Sequence, residues 1–167
     1  TTTTTTQAML YGCAALTTVP LFDLSKVTTT VAMFQSCASL TTVPLFNLSK
    51  TIDTNYMFYN CTALATVPLF NLSKVTNVSG MFRDCTSLTT IPLFNLSSVT
   101  NAASMFSGVT LATTSYSDFL INLATLPLKS GVTFHGGSSK YNTAGATARA
   151  YIISTFGWTI TDGGAAP

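Results

Sequence analysis

Apolar and polar positions along this chain fall into fixed columns instead of a continuous helical or strand period. The stretch Met-Phe-x-x-Cys-x-x-Leu-x-Thr-Val/Ile-Pro-Leu-Phe-Asn-Leu-Ser recurs every 24 residues, with Met9, Met33, Met57, Met81 and Met105 at its starts. Cys13, Cys37, Cys61 and Cys85 follow four residues behind the first four starts, and Val109 stands at that place in the drifting fifth copy. The apolar column members Phe34, Cys37, Leu40, Val43, Leu45 and Leu48 correspond to Phe58, Cys61, Leu64, Val67, Leu69 and Leu72 one copy later. Constant spacing without insertions predicts one coil per copy. Each coil is too small to bury its apolar side alone and is covered by its neighbours. Like side chains then stack in files at about 4.8 Å, the spacing of adjacent strands.

Within a copy, residues 40–45 alternate in the manner of a short strand. Pro20, Pro44, Pro68 and Pro92 share one column, so each interface loses a donor there and the strand ends near the proline. A second extended piece is expected over 75–78 and its equivalents. Asp23, Asn47, Asn71 and Asn95 recur at the bend after the strand, where an Asx side chain can bond turn backbone. Beyond residue 113 the pattern changes. Residues 117–123 read as a helix N-capped by Ser115 or Ser117, and 131–135 as a strand. Residues 143–156 read as a second helix stopped by Gly157, and 158–161 as a closing strand. The expected fold is an α/β repeat solenoid of about five coils over residues 1–112, with short parallel strands. An α/β capping module over 113–167 would hide the last open coil.

Composition changes this picture in one respect, the compartment. Charged residues are 7% of the 167, there is no Glu, and Thr supplies roughly a fifth. No apolar run approaches the ~20 residues of a spanning helix, so membrane insertion is not expected. Hydroxyls and amides in place of charges suit an extracellular or virion-surface protein. The net charge of +2 is scattered. Lys26, Lys50 and Lys74 share a column, but three charges make no nucleic-acid footprint. They read as a solvated edge that discourages sideways strand pairing. The chain opens on Thr1 to Thr6 without an initiator Met, a signal segment or an N-terminal cap, which reads as a fragment or processed product.

The Cys-x-x-Leu-Thr-x-Val/Ile register, followed by Asn-Leu-Ser-x-Val-Thr-Asn-x-x-x-Met-Phe, resembles the BspA-like leucine-rich repeats of bacterial, protist and phage surface proteins. The segments 137–150 and 157–164 are similar to tails that follow such repeats in phage and bacterial proteins. The resemblance implies a leucine-rich-repeat solenoid and a role in adhesion or recognition. It transfers no catalytic residue, cofactor or metal ligand.

The residues themselves offer little chemistry. No Cys pair has zinc-ligand spacing and His135 is the single histidine, so a metal site is not expected. Stacked cysteines could form disulfides between coils, but parallel Cβ atoms about 4.8 Å apart exceed the bridge's preferred ~3.8 Å. A buried ladder of reduced thiols is the favoured reading, and Val109 can take over that packing role. One His, five Asp and no Glu are a thin inventory for acid–base work. No catalytic residue is assigned, and a triad of His135 with Asp118 or Asp162 is the remote alternative.

Binding is the stronger option. Thr18, Thr42, Thr66 and Thr90 form an outward column. Phe22, Phe46, Phe70 and Phe94 form another, which is an aromatic binding stripe if exposed and core if folded inward at the bend. Gln35-Ser36, Tyr59-Asn60 and Arg83-Asp84 vary between otherwise near-uniform copies, where recognition could be tuned on a fixed scaffold. The expected function is non-enzymatic surface recognition, foremost as a phage tail-fibre or receptor-binding domain contacting a host glycan or protein. A structural or decoration subunit, self-associating or bound to other subunits, is the alternative, and a bacterial cell-surface adhesin lies between the two.

Overall fold

The computed structural model describes residues 4–167. Thr5, Thr29, Asp53, Asn77 and Asn101 are joined, each to the next, by parallel bridges. Equivalent residues of successive copies therefore lie side by side. Around this column the backbone amides are accounted for in two alternating ways. Thr30, Ala32, Phe34 and Ser36 donate to the carbonyls of Asp53, Asn55, Met57 and Tyr59 in the next coil, at 2.8–3.0 Å. Between them Met33, Gln35 and Cys37 donate to Thr30, Ala32 and Phe34 of their own coil. That alternation puts residues of each coil into left-handed backbone: Ala32 and Ser36 have φ of 54° and 61°. Gly12, Ser36, Asn60, Asp84 and Gly108 fill one such column, and glycine and short polar residues tolerate this region best.

The strand expected over 40–45 does not form. Ala65 N–H bonds Thr41 O at 3.2 Å, but no backbone bond joins 42–50 to 66–74 among the described residues. Pro44 withholds a donor, and the coils stand further apart on this side. The ladder runs instead through the second expected piece, at Asn77 and its equivalents. The Asx bends are present: Oδ1 of Asp23, Asn47, Asn71 and Asn95 accepts the N–H of Ser25, Ser49, Ser73 and Ser97 at 3.0–3.2 Å. The acidic member, Asp23, has its pKa lowered by the side-chain and backbone hydrogen bonds from Ser25.

Leu40, Leu64 and Leu88 are fully buried as one file, each worth about 1.5–3 kcal/mol of hydrophobic burial. Polar members of the interior are satisfied between coils. Thr30 and Thr54 donate Oγ1 to the sulfurs of Met57 and Met81 at 3.3 and 3.4 Å. Two phenylalanine files run through the stack. Phe34, Phe58, Phe82 and Phe106 stack nearly parallel at 5.4–5.6 Å. Phe22, Phe46, Phe70 and Phe94 are spaced 6.1–6.4 Å. The coils therefore fan open toward the second file.

Four elements follow the coils. Helix α1 spans Thr113–Ala124, strand β1 Thr133–His135, helix α2 Thr143–Phe156 and strand β2 Thr159–Thr161. Strands β1 and β2 pair in parallel with Phe134 opposite Ile160, and α1 packs on α2. Helix α1 starts earlier than its sequence suggests, with Ala112 at the N-cap and no side-chain cap. The serines expected to cap it are engaged elsewhere. Ser115 Oγ accepts from Ile91 N at 3.1 Å, and Ser117 Oγ donates to Thr113 O and accepts from Asn142 N. Helix α2 is capped by Asn142 Oδ1 and ended by left-handed Gly157 at φ 65°.

These elements take the place of a next coil. Phe34, Phe58 and Phe82 donate to the methionine carbonyl below, and Phe106 donates instead to His135 O at 3.0 Å. Ala102 bridges Phe134, and Asn122 Nδ2 donates to Phe94 O at 3.1 Å. The tight ring file ends edge-on, with Phe119 and Phe134 meeting Phe106 at 84° and 75°.

Candidate functional site

The cysteines are free thiols, and Cys37, Cys61 and Cys85 are buried in one file. Each donates to a carbonyl of the preceding coil, Leu10, Phe34 or Phe58, at 3.0–3.1 Å. Burial, then the neighbouring thiol, pushes their pKa values up, that of Cys61 to about 12. A thiol kept protonated is a poor nucleophile and metal ligand. No group of three His, Cys, Asp or Glu side chains gathers among the described residues.

His135 and Asp162 are used in the fold. His135 Nδ1 accepts the Gly137 N–H at 3.0 Å. Asp162 Oδ2 accepts from Tyr116 Oη and Arg149 Nε, both at 2.9 Å, and its Oδ1 accepts from Gly164 N. Arg149 also donates to Ile160 O at 2.8 Å. The network ties both helices to β2. Burial, then the Asp162 charge, raises the Tyr116 pKa, so the phenol stays a hydrogen-bond donor. Asp118 lies on the exposed side of α1.

The surface differs from expectation in one column. Phe46, Phe70 and Phe94 are buried and Phe22 is half-buried, so the phenylalanine file belongs to the core. Its neighbour in sequence faces out: Leu21, Leu45, Leu69 and Leu93 are 68, 59, 58 and 49% exposed. The column that alternation placed inside is thus a surface stripe. After proline, Leu-Phe presents two adjacent large apolar residues, and an alternating chain can bury only one of them. That adjacency was the available signal.

Thr18, Thr42, Thr66 and Thr90 are exposed as expected. Grooves of about 300 and 290 Å³ lie between Leu45 and Leu69 and between Leu69 and Leu93, edged by Asn47, Asn71 and Asn95. The apolar line continues from Leu93 to Ile121 of α1, across a groove with Ser115, Asp118 and Asn122. From Ile121 it runs to Tyr151 of α2.

A second surface lies where the copies vary. Gln35, Tyr59 and Arg83 are half-buried and follow one another down the stack, with the Arg83 guanidinium 5.4 Å from the Tyr59 ring centre. Their partners Ser36, Asn60 and Asp84 all have positive φ. Half of the variable pairs is therefore limited by backbone to glycine and short polar residues. Tyr56, which the sequence did not single out, joins Tyr59 at 5.5 Å between ring centres. It carries φ 54° in a column otherwise filled by Ala8, Ala32, Gly80 and Ser104. Gly80 lies directly against it, where an added Cβ would collide with the Tyr56 ring.

Successive 24-residue copies are thus bonded to one another in register, with like residues filed through the interior and two distinct exposed surfaces. The chain belongs to the family described as Mycoplasma protein of unknown function, DUF285, which matches residues 4–119, the coils and the first half of α1. No curated protein matches the chain. No solved structure matches it either.

Proposed function

We propose that the chain is a non-enzymatic recognition module: a BspA-like leucine-rich-repeat solenoid displayed on the outside of a particle or cell. The observation that carries this reading is the exposed leucine stripe. A chain that buries nearly every other large apolar column leaves Leu45, Leu69 and Leu93 49–59% exposed, in line with Ile121 and Tyr151. Contiguous apolar surface of this kind is costly in water and marks a contact site. The thiols, His135 and Asp162 are engaged in packing and hydrogen bonds, which supports binding over catalysis. No helix among the described residues is long and apolar enough to cross a membrane.

A phage tail-fibre or receptor-binding domain touching a host surface is the version supported by the resemblance of the tail segments. The family description names Mycoplasma proteins, which favours a bacterial cell-surface adhesin as the second version. A structural subunit is the remaining reading. The stripe's single period favours it, because a second copy carries leucines at the same spacing as the grooves.

The test is binding of labelled protein to a panel of whole bacterial cells, alongside light scattering of the protein alone. Recognition predicts saturable cell binding that Leu45→Asp with Leu69→Asp lowers at least tenfold without altering the melting temperature. Concentration-dependent self-association abolished by the same pair, with no cell bound, would replace it with the structural reading.

A further inference from the structure

We propose that the tyrosine corner around Tyr56, Tyr59 and Arg83 is a carbohydrate-binding site for neutral hexose rings. The inference rests on the recognition reading but uses a surface separate from the leucine stripe. Four observations meet there. Tyr56 occupies left-handed backbone, φ 54°, which is unfavourable for a bulky residue. Gly80 in the next coil matches it by offering bare backbone beneath the ring. Tyr59 stands at 51° to Tyr56, giving two ring surfaces that meet at an angle. Finally, of the two buried side-chain polar atoms without a hydrogen-bond partner among the described residues, Arg83 Nε belongs to this corner and Asn55 Oδ1 to the residue before Tyr56.

Asn55 precedes Tyr56, and Arg83 stacks on Tyr59. Arg83 Nε lies 3.5 Å from Asp84 Oδ2, close enough for charge pairing but too far for a good hydrogen bond. Strain and unspent hydrogen bonds gathered in one place are not what folding stability selects. The preceding coil manages with Ala32 and Gln35 at these positions. What the corner gains is chemistry. Tyrosine rings offer an apolar face to the C–H side of a pyranose while their hydroxyls stay wet. Arg83, Asp84, Asn60 and Gln35 supply donors and acceptors that vicinal hydroxyls can use. Arg83 and Asp84 side chains are 41% and 38% exposed, within reach of a ligand. Their opposite charges cancel, so the corner favours neutral over acidic or phosphorylated sugars.

The repeat supplies its own controls. Tyr56→Ala and Tyr59→Gln convert the corner to the residues of the preceding coil, where Ala32 already holds φ 54°. Both variants should therefore fold, with a melting temperature equal to or above that of the parent chain. The probe is an array of neutral and acidic oligosaccharides and bacterial surface polysaccharides, followed by titration of the best neutral binder. We expect binding to hexose-containing neutral glycans, at least tenfold weaker in either single variant and absent in the double. The Leu45→Asp/Leu69→Asp protein should keep that binding, which separates this site from the stripe. Silence across the array, selection of acidic glycans alone, or binding unchanged in the double variant would overturn the proposal. If the double variant fails to fold, the Tyr59→Gln titration decides.

Discussion

The two phenylalanine files pass through the same coils, yet one is tight and the other is loose. Along Phe34, Phe58, Phe82 and Phe106 the rings are 5.4–5.6 Å apart and the adjoining backbone is bonded coil to coil at alternate residues. Along Phe22, Phe46, Phe70 and Phe94 the spacing is 6.1–6.4 Å and the neighbouring 42–50 segments share no backbone bond with 66–74. Ring stacking alone does not set the spacing, since both files contain the same residue. Backbone bonding does. Where amides are tied across the interface the coils close up, and where proline interrupts, they part and leave grooves between leucines. The tight side holds the fold and the tyrosine corner; the open side displays the apolar stripe.

The largest effect expected from breaking this contrast is in the tight file. Phe58→Ala should cost about 3–5 kcal/mol, the usual range for a buried Phe truncation. Phe70→Ala should sit at the low end of that range, because its surroundings are already spread and relax more readily. Urea unfolding of both variants reads the difference. Equal losses would mean that the wider spacing has no energetic counterpart.

The leucines sharpen the contrast further. Leu72 is fully buried while Leu69, three residues earlier, is 58% exposed. Leu72→Ala should cost about 2–5 kcal/mol, and Leu69→Ala should stay within about 0.5 kcal/mol, as surface substitutions do. A large loss from Leu69→Ala in the same denaturation assay would return the stripe to the core.

On the tight side, Gly80→Ala should destabilise by about 1–3 kcal/mol through overpacking against the Tyr56 ring, added to strain at positive φ. Tyr56→Ala in the same chain should recover most of the overpacking part. Recovery of nothing in the double-mutant cycle would show that the ring and glycine do not act as a pair.

The last contrast is electrostatic and is read only as a slope against pH. Folded Cys61 titrates near 12 against an ordinary 9.0, so its protonated form is the one the fold favours. Its contribution is complete below pH 9. As pH rises above 9 toward 12 the unfolded chain releases the proton first, and stability falls by up to about 1.4 kcal/mol per pH unit for each such thiol. Cys61→Val, which copies Val109, should flatten that slope in urea midpoints measured between pH 8 and about pH 10.5. An unchanged slope would assign the alkaline loss to other groups.

Much of this was legible in the residues. A 24-residue period fixes which side chains meet, because identical coils without insertions can stack only in register. The Asx bends at Asn47 and Asn71, the thiol file, helix α2 with its glycine stop and the positions of β1 and β2 follow from local chemistry. The candidate surfaces were only half legible. Gln35, Tyr59 and Arg83 stood out by varying, but Ser36, Asn60 and Asp84 vary within limits set by positive φ. Tyr56 and Gly80 were invisible as a pair, since their fit depends on a contact between coils.

The chain by itself determined the register, the filing of like residues and the scarcity of acid–base chemistry. All three depend on residue identity and spacing. The tertiary structure decided which of Leu45 and Phe46 turns inward, where the coils close and where they part. It also decided that Ser115 serves Ile91 instead of capping its own helix. Those outcomes turn on backbone torsions and hydrogen bonds shared between residues about two dozen positions apart, and no local stretch of sequence contains both partners.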